Sequence, residues 1–246
     1  MLLLRDFWKR WWLPLSLALV AVSCVACIVW VDRIVAKYYF RHPELQQVKV
    51  ELKYWTQWSE AEFYLVASFA AGLVLFGIAW VSKTTALGLA ARLYARRSAF
   101  IGCSIACSGA AVMVLKFLVG RSRPNEFLKA NEYGKVSEYV FLPFSFDHQY
   151  QSFPSGHAAT SVALAGALAV LFPRLRWPLL LLGVGMAFIR VVITAHYLSD
   201  FIAGCYLGLL GVLAARWFFE SRGYLASTVE APAPEPVAST LASETQ

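Results

Sequence analysis

The chain has 246 residues, of which 59% are hydrophobic and only 15% charged, with a formal net charge of +7. A soluble globular domain carries about 45–50% apolar residues, so the composition excludes an ordinary water-soluble fold and makes a bilayer the natural solvent. The positive balance is not read as a nucleic-acid surface, because in such a chain the lysines and arginines have to be counted loop by loop.

The apolar residues fall in six blocks: Leu13 to Val31, Phe63 to Val81, Ala99 to Val119, Ala158 to Phe172, Leu179 to Ile193 and Phe201 to Phe219. Most approach the ~20 residues that a spanning helix needs. Gly156 and His157 extend the fourth block, and the fifth runs on through Arg190 toward Ala195. The expectation is an all-α, polytopic membrane protein with six transmembrane helices. Trp8, Trp11, Trp12, Trp30, Trp80, Trp177, Tyr197 and Trp217 sit near block ends, as interfacial aromatics do. The first block is longer than the ~7–15 residues of a signal-peptide core and is read as a span.

Basic residues sort by side. Arg5, Lys9 and Arg10 precede the first block, Lys83, Arg92, Arg96 and Arg97 lie between the second and third, and Arg174 and Arg176 separate the fourth and fifth. Arg216 and Arg222 close or follow the sixth, whereas the basic residues of the other loops are balanced by Glu44, Glu51, Glu60, Glu126, Glu132, Glu138 and Asp147. The positive-inside rule then puts both termini in the cytoplasm and the loops at 32–62, 120–155 and 194–199 outside. Cys24, Cys27, Cys103, Cys107 and Cys205 all fall inside the blocks, which argues against a disulfide framework or a thiolate zinc site.

The first outer loop, Asp32 to Glu62, mixes apolar and charged residues and is divided by Pro43. Two readings stay open, an amphipathic helix in the interface near an entering lipid and a folded cap with no substrate role. The second outer loop, Gly120 to Pro154, has a length usually associated with function, and its acids lack the tight spacing of a calcium loop. From about Tyr224, Ala, Pro, Ser, Thr and Glu take over. This division predicts a membrane domain over 1–223 and a disordered cytoplasmic tail over 224–246.

Polar residues at the ends of apolar spans are expensive and mark function, and they concentrate at three places. The first is Lys116 through Pro124, with Arg121 and Arg123 just past the third span; in isolation, snorkelling at a helix end is the better explanation. The second is Pro154-Ser155-Gly156-His157, a capped helix start whose free N–H groups and dipole attract an anion. The third is Arg190, His196 and Asp200, where helical spacing over 196–200 would put imidazole and carboxylate on one face. A carboxylate on one ring nitrogen leaves the other free to attack. Cations around a phosphoryl group, a nucleophile and a proton donor are the parts of a metal-free phosphoryl transfer.

The elements Lys116-x6-Arg123-Pro124, Pro154-Ser155-Gly156-His157 and Arg190-x5-His196-x3-Asp200 resemble the three signature motifs of the type 2 phosphatidic acid phosphatase superfamily. The resemblance implies His196 as a nucleophile forming a phosphohistidine, Asp200 as its orienting partner and His157 as the acid for the leaving oxygen. It implies Lys116, Arg123, Ser155, Gly156 and Arg190 as the phosphate-binding set, with no cofactor and no metal. The family's third motif usually begins Ser-Arg; here Ile189 precedes Arg190, which removes one hydroxyl contact.

The implied activity is a membrane lipid phosphatase acting on phosphatidylglycerophosphate, phosphatidic acid, undecaprenyl diphosphate or lipid A. Its expected location is a bacterial inner membrane, with the site facing the periplasm and no nucleic-acid or obligatory protein partner. Two alternatives differ in chemistry. A lipid phosphotransferase would pass the phosphoryl group to a second lipid, and a non-enzymatic transporter or scaffold would only bind anionic lipid and survive loss of His196.

Overall fold

A computed structural model describes residues 2–57, 60–125 and 141–225. Among these the chain is helical throughout, with an isolated bridge between Arg121 and Phe141 as the only β pairing. Helix α1 covers Leu2–Ala26 and continues through a π turn at Cys27–Val31 into α2, Asp32–Arg41. After Pro43 breaks the helix, α3 covers Gln46–Thr56 and α4 Ala61–Val81. Then follow α5 (Ala86–Val119), α6 (Gly156–Leu171), α7 (Arg176–Val192) and α8 (Leu198–Ser221).

Five stretches are long and apolar enough to cross a membrane: Trp11–Tyr39, Gln47–Val81, Ala86–Val119, Pro173–Val192 and Leu198–Ser221. The sixth expected span, α6, is apolar but only 16 residues long. At 1.5 Å per residue it reaches ~24 Å, short of a ~30 Å hydrocarbon core. Large apolar side chains face outward, among them Leu19, Val22, Leu73, Leu181 and Trp217. Only lipid makes that arrangement inexpensive, and the chain is an integral membrane protein.

The third helix starts well before the expected Ala99. Thr85 caps α5, its hydroxyl accepting from Gly88 N–H at 3.2 Å, so Arg92, Arg96 and Arg97 ride on helix rather than loop. The centre of the bundle is α5, α6, α7 and α8, with α4 laid on α5 and α1 on α8. Without a hydrophobic driving force inside lipid, helices associate where small residues let backbones approach. At Gly204 a Cβ would lie 2.4 Å from the Ser155 carbonyl oxygen, and at Gly208 2.6 Å from that of Ala159. The second and third turns of α8 are thereby pressed against the start of α6.

The first outer segment is helical over both halves, and α3 packs against α7. Tyr224 and Leu225, where the tail was expected to begin, fold back so that both N–H groups point to the Phe219 carbonyl. Residues 226–246 and the middle of the second outer loop, with Glu126, Glu132 and Glu138, lie outside the described residues.

Candidate active site

Gly120 ends α5 in the left-handed region, φ 58°, with its N–H on the Lys116 carbonyl at 3.0 Å. A Cβ there would fall 1.6 Å from the Leu142 carbonyl oxygen, so only glycine lets the chain turn across the end of the bundle. Arg121 to Pro124 then run beside the strand-like stretch before α6. Ser152 N–H bonds the Arg121 carbonyl at 2.9 Å, and Arg123 N–H bonds that of Gln149 at 3.0 Å. The first motif is thus stitched to the approach to the second.

Ser155 caps α6, its hydroxyl accepting from Ala158 N–H at 3.3 Å, while its own N–H donates to the Asp200 carbonyl at 3.0 Å. A Cβ on Gly156 would lie 3.8 Å from Lys116 Nζ, so the ammonium stands directly opposite the opening residue of α6. His157 follows in the first turn, half-buried and within electrostatic range of His196, Arg190, Lys116 and Arg123.

The third motif is a tight return. Thr194 takes φ 55°, and the N–H groups of Ala195 and His196 both bond the Arg190 carbonyl, at 3.0 and 3.1 Å. His196 therefore precedes α8 rather than sharing a helical face with Asp200. Its Nδ1 lies 2.9 Å from the Ser152 carbonyl oxygen and 3.5 Å from Asp200 Oδ2. A carbonyl can only accept, so Nδ1 carries the proton and Nε2 holds the free lone pair. The tautomer that spacing had assigned to the carboxylate alone is set first by a backbone carbonyl. Burial pulls the His196 pKa down to about 4; Arg123 and Arg190 add to the lowering and Asp200 opposes it. At neutral pH the ring is uncharged.

Asp200 is saturated with donors. Oδ1 accepts from Arg121 Nη1 at 2.5 Å, and Oδ2 from Ser152 Oγ at 2.6 Å and from Tyr197 N–H at 2.9 Å. The Arg121 guanidinium, fully buried and 4.0 Å above the Tyr197 ring centroid, also donates to Ser199 Oγ at 2.6 Å and to Asp32 Oδ2 at 2.7 Å. Asp32 in turn accepts from Ser199 N–H at 3.0 Å and Ser199 Oγ at 2.5 Å. Arg121, expected merely to snorkel, instead ties the end of the first span to the carboxylate beside His196. A carboxylate abutting an apolar block was the one available signal for Asp32, since a charge at that depth needs a partner. Nothing in the sequence paired it with Arg121.

Arg190 reaches across to α3, where Nη1 donates to Thr56 Oγ1 at 3.1 Å. This hydroxyl arrives from a different element than Ile189, where the family pattern would place one. Arg190 Nε is buried and has no hydrogen-bond partner among the described residues. Arg123 donates through Nε to the His148 carbonyl at 3.1 Å, with Nη2 3.1 Å from His148 Nε2. Its charge, with some burial, lowers the His148 pKa. All eight expected site residues are thus brought to one end of the bundle, together with Arg121, Asp32, Ser152, Ser199 and Thr56. Among the described residues no group of three or more His, Cys, Asp or Glu is arranged to hold a metal ion.

A family model described as the PAP2 superfamily matches residues 97–224, which include all three motifs. The chain belongs to the PAP2 superfamily. Two curated relatives are lipid A 1-phosphatases. That of Rhizobium johnstonii is 37% identical over 127 residues, covering 52% of this chain and 50% of the relative. That of Rhizobium etli is 39% identical over 110 residues, covering 45% of each chain. The chain thus spans about half the length of the curated relatives it matches. The crystal structure of a transmembrane PAP2-type phosphatidylglycerolphosphate phosphatase from Bacillus subtilis aligns over 85% of this chain and 96% of its own, at 21% identity and a TM-score of 0.46.

Proposed function

We propose that this PAP2 protein is a membrane lipid phosphatase that removes the 1-phosphate of a lipid A-type glycolipid by way of a phosphohistidine on His196. The buried Nε of Arg190, without a partner among the described residues and within electrostatic range of Lys116 and Arg123, carries the reading of an anion site, because a buried donor without an acceptor is costly until a ligand supplies one. The relatives' activity supplies the lipid.

In the proposed reaction, Lys116, Arg123, Arg190 and the free N–H groups at the start of α6 hold the non-bridging phosphate oxygens. Their charge grows in importance as the transition state spreads negative charge over those oxygens. His196 Nε2 forms the N–P bond while the bond from phosphorus to the lipid oxygen breaks, and His157 gives that oxygen its proton. The Ser152 carbonyl and Asp200 stabilise the positive charge that develops on the imidazole. Water then attacks phosphorus with its proton passing to His157, the N–P bond breaks, and inorganic phosphate leaves with His196 restored. In this reading the site faces the periplasm, since the basic residues Lys83, Arg92, Arg96 and Arg97 lie toward the opposite end of α5.

The test is phosphate release by the purified full chain from lipid A, phosphatidylglycerophosphate, phosphatidic acid and undecaprenyl diphosphate, with EDTA present and His196→Ala in parallel. Release from lipid A that survives EDTA and is lost in the variant is the expected result. Release from another lipid in preference to lipid A would overturn the substrate, and undiminished activity of His196→Ala would overturn the nucleophile.

A further inference from the structure

At the far end of α5 from the site, α4, α5 and the end of α8 enclose an open groove of about 760 Å³. Arg96 and Lys116 are twenty residues apart on one helix, a rise of about 30 Å, so a bilayer's thickness separates groove from site. The floor is apolar, formed by residues such as Phe69, Leu73 and Phe76, and the mouth carries Lys83, Arg92 and Arg96. No carboxylate is among the described residues that line it.

Three cations at one mouth are electrostatically unfavourable. Arg92 and Arg96 stand four residues apart on one helix, where like charges repel. Each is nonetheless held in place. Lys83 Nζ lies 4.6 Å from the Trp80 ring centroid, Arg92 Nη2 donates to the Lys83 carbonyl at 2.9 Å, and the Arg96 guanidinium lies 5.3 Å from the Tyr224 ring centroid. None of these partners is an anion. All three cations are exposed, where the chain passes from the end of α4 into the first turns of α5. A ligand that satisfies both parts needs a negatively charged head for the mouth and long apolar chains for the floor.

We infer that this groove is a binding site for an anionic phospholipid of the leaflet opposite the active site. Its phosphate sits among Lys83, Arg92 and Arg96, and its acyl chains lie along Phe69, Leu73 and Phe76. Lysines and arginines at a membrane surface contribute roughly fivefold each to anionic-lipid binding. The inference is independent of the phosphatase reading, since no residue of the groove belongs to that site.

The experiment delipidates the full chain in mild detergent, offers it phosphatidylglycerol and phosphatidylcholine together, and weighs the intact protein–lipid complexes by mass spectrometry. Wild type is expected to retain phosphatidylglycerol in preference, and the Lys83→Gln/Arg92→Gln/Arg96→Gln variant to lose about tenfold to a hundredfold of that preference. Arg174→Gln/Arg176→Gln, which removes two cations at a site distant in sequence, is expected to keep it. Gly72→Leu fills the floor without touching a charge; a Cβ there makes ordinary contacts, 3.8 Å from Ala95 O and 3.9 Å from Ser98 Cβ. This variant is expected to lose retention of both lipids, and it decides the matter if the triple variant does not elute as a folded species. Equal retention of the two lipids by wild type, or unchanged preference in the triple variant, would overturn the site. So would a preference that emerges only when residues 226–246 are removed, which would make the chain's own tail the occupant.

Discussion

Asp32→Asn tests the buried network that joins the first span to the site. Asp32, Arg121 and Asp200 are each fully buried, so no water can replace a lost partner. The Asp32 carboxylate accepts from Arg121 Nη2 at 2.7 Å, Ser199 N–H at 3.0 Å and Ser199 Oγ at 2.5 Å. An asparagine keeps the shape but turns one oxygen into a donor, which must face either the guanidinium or the Ser199 N–H. Hydrogen bonds to charged groups contribute ~1.5–3 kcal/mol, and removing one partner of a buried ion pair costs ~3–5 kcal/mol; we expect a loss of about 3 kcal/mol. Arg121→Gln strips the cation from two carboxylates and falls at the upper end, about 5 kcal/mol. In Asp32→Asn/Arg121→Gln one of the stranded carboxylates is neutral, so the double variant recovers about 2 kcal/mol against the sum. Unfolding in mixed detergent–SDS micelles reads all four proteins. Additivity within about 0.5 kcal/mol, or wild-type stability of Asp32→Asn, would refute the reasoning. Phosphate release separates the roles further. Asp32→Asn leaves the Arg121–Asp200 pair in place and is expected to lose less than tenfold in rate, against more than a hundredfold for Arg121→Gln.

His157→Ala is expected to lower the rate of phosphate release by about 10²–10⁴, with the deficit smallest on substrates whose leaving group needs no proton. His196 stays neutral until about pH 4, so kcat/KM should hold as pH falls through the ordinary histidine range near 6.5 and drop only toward 4. Arg123→Gln removes a charge that lowers this pKa and should move the acid limb to higher pH. The same burial has a stability signature. Between the unfolded value near 6.5 and the folded value near 4 the unfolded chain binds the extra proton, so stability is lost as pH drops through that window and regained as pH rises, by about 3 kcal/mol in all. Gly204→Ala would push a Cβ to 2.4 Å from the Ser155 carbonyl oxygen, and we expect a loss of at least about 1 kcal/mol with a fall in activity, read by unfolding and phosphate release together.

Much of this was legible because membranes simplify the code. Four of the six apolar blocks gave helices with ends within a few residues; α1 begins at Leu2 and runs on through the π turn into α2, and α5 begins early because its Ala-, Leu- and Arg-rich start is as helical as its apolar part. The three polar clusters stood out against hydrocarbon, and the fold draws their residues to one end. What stayed hidden were pairings set by long-range packing. The 3.6-residue repeat that matched His196 to Asp200 does not apply across a helix start, so the Ser152 carbonyl at the nearer distance was invisible. Asp32 and Arg121, and Thr56 and Arg190, meet only because helices far apart in the chain converge.

The Asp32–Arg121 bond also fixes an order of events during synthesis. The carboxylate is made 89 residues before its cation, and two spans must be laid into the bilayer in the interval. Until Arg121 emerges, Asp32 has to remain at the water boundary, with the first span free to shift in depth or tilt. Only when the turn at Gly120 delivers the guanidinium is the first span drawn home, and Ser199 must then arrive with the last helix to complete the seal. A ribosome-bound intermediate lacking α8 is therefore a protein whose first span is held by Arg121 alone, and the closing of the network at Ser199 and Asp200 becomes the final act of membrane assembly.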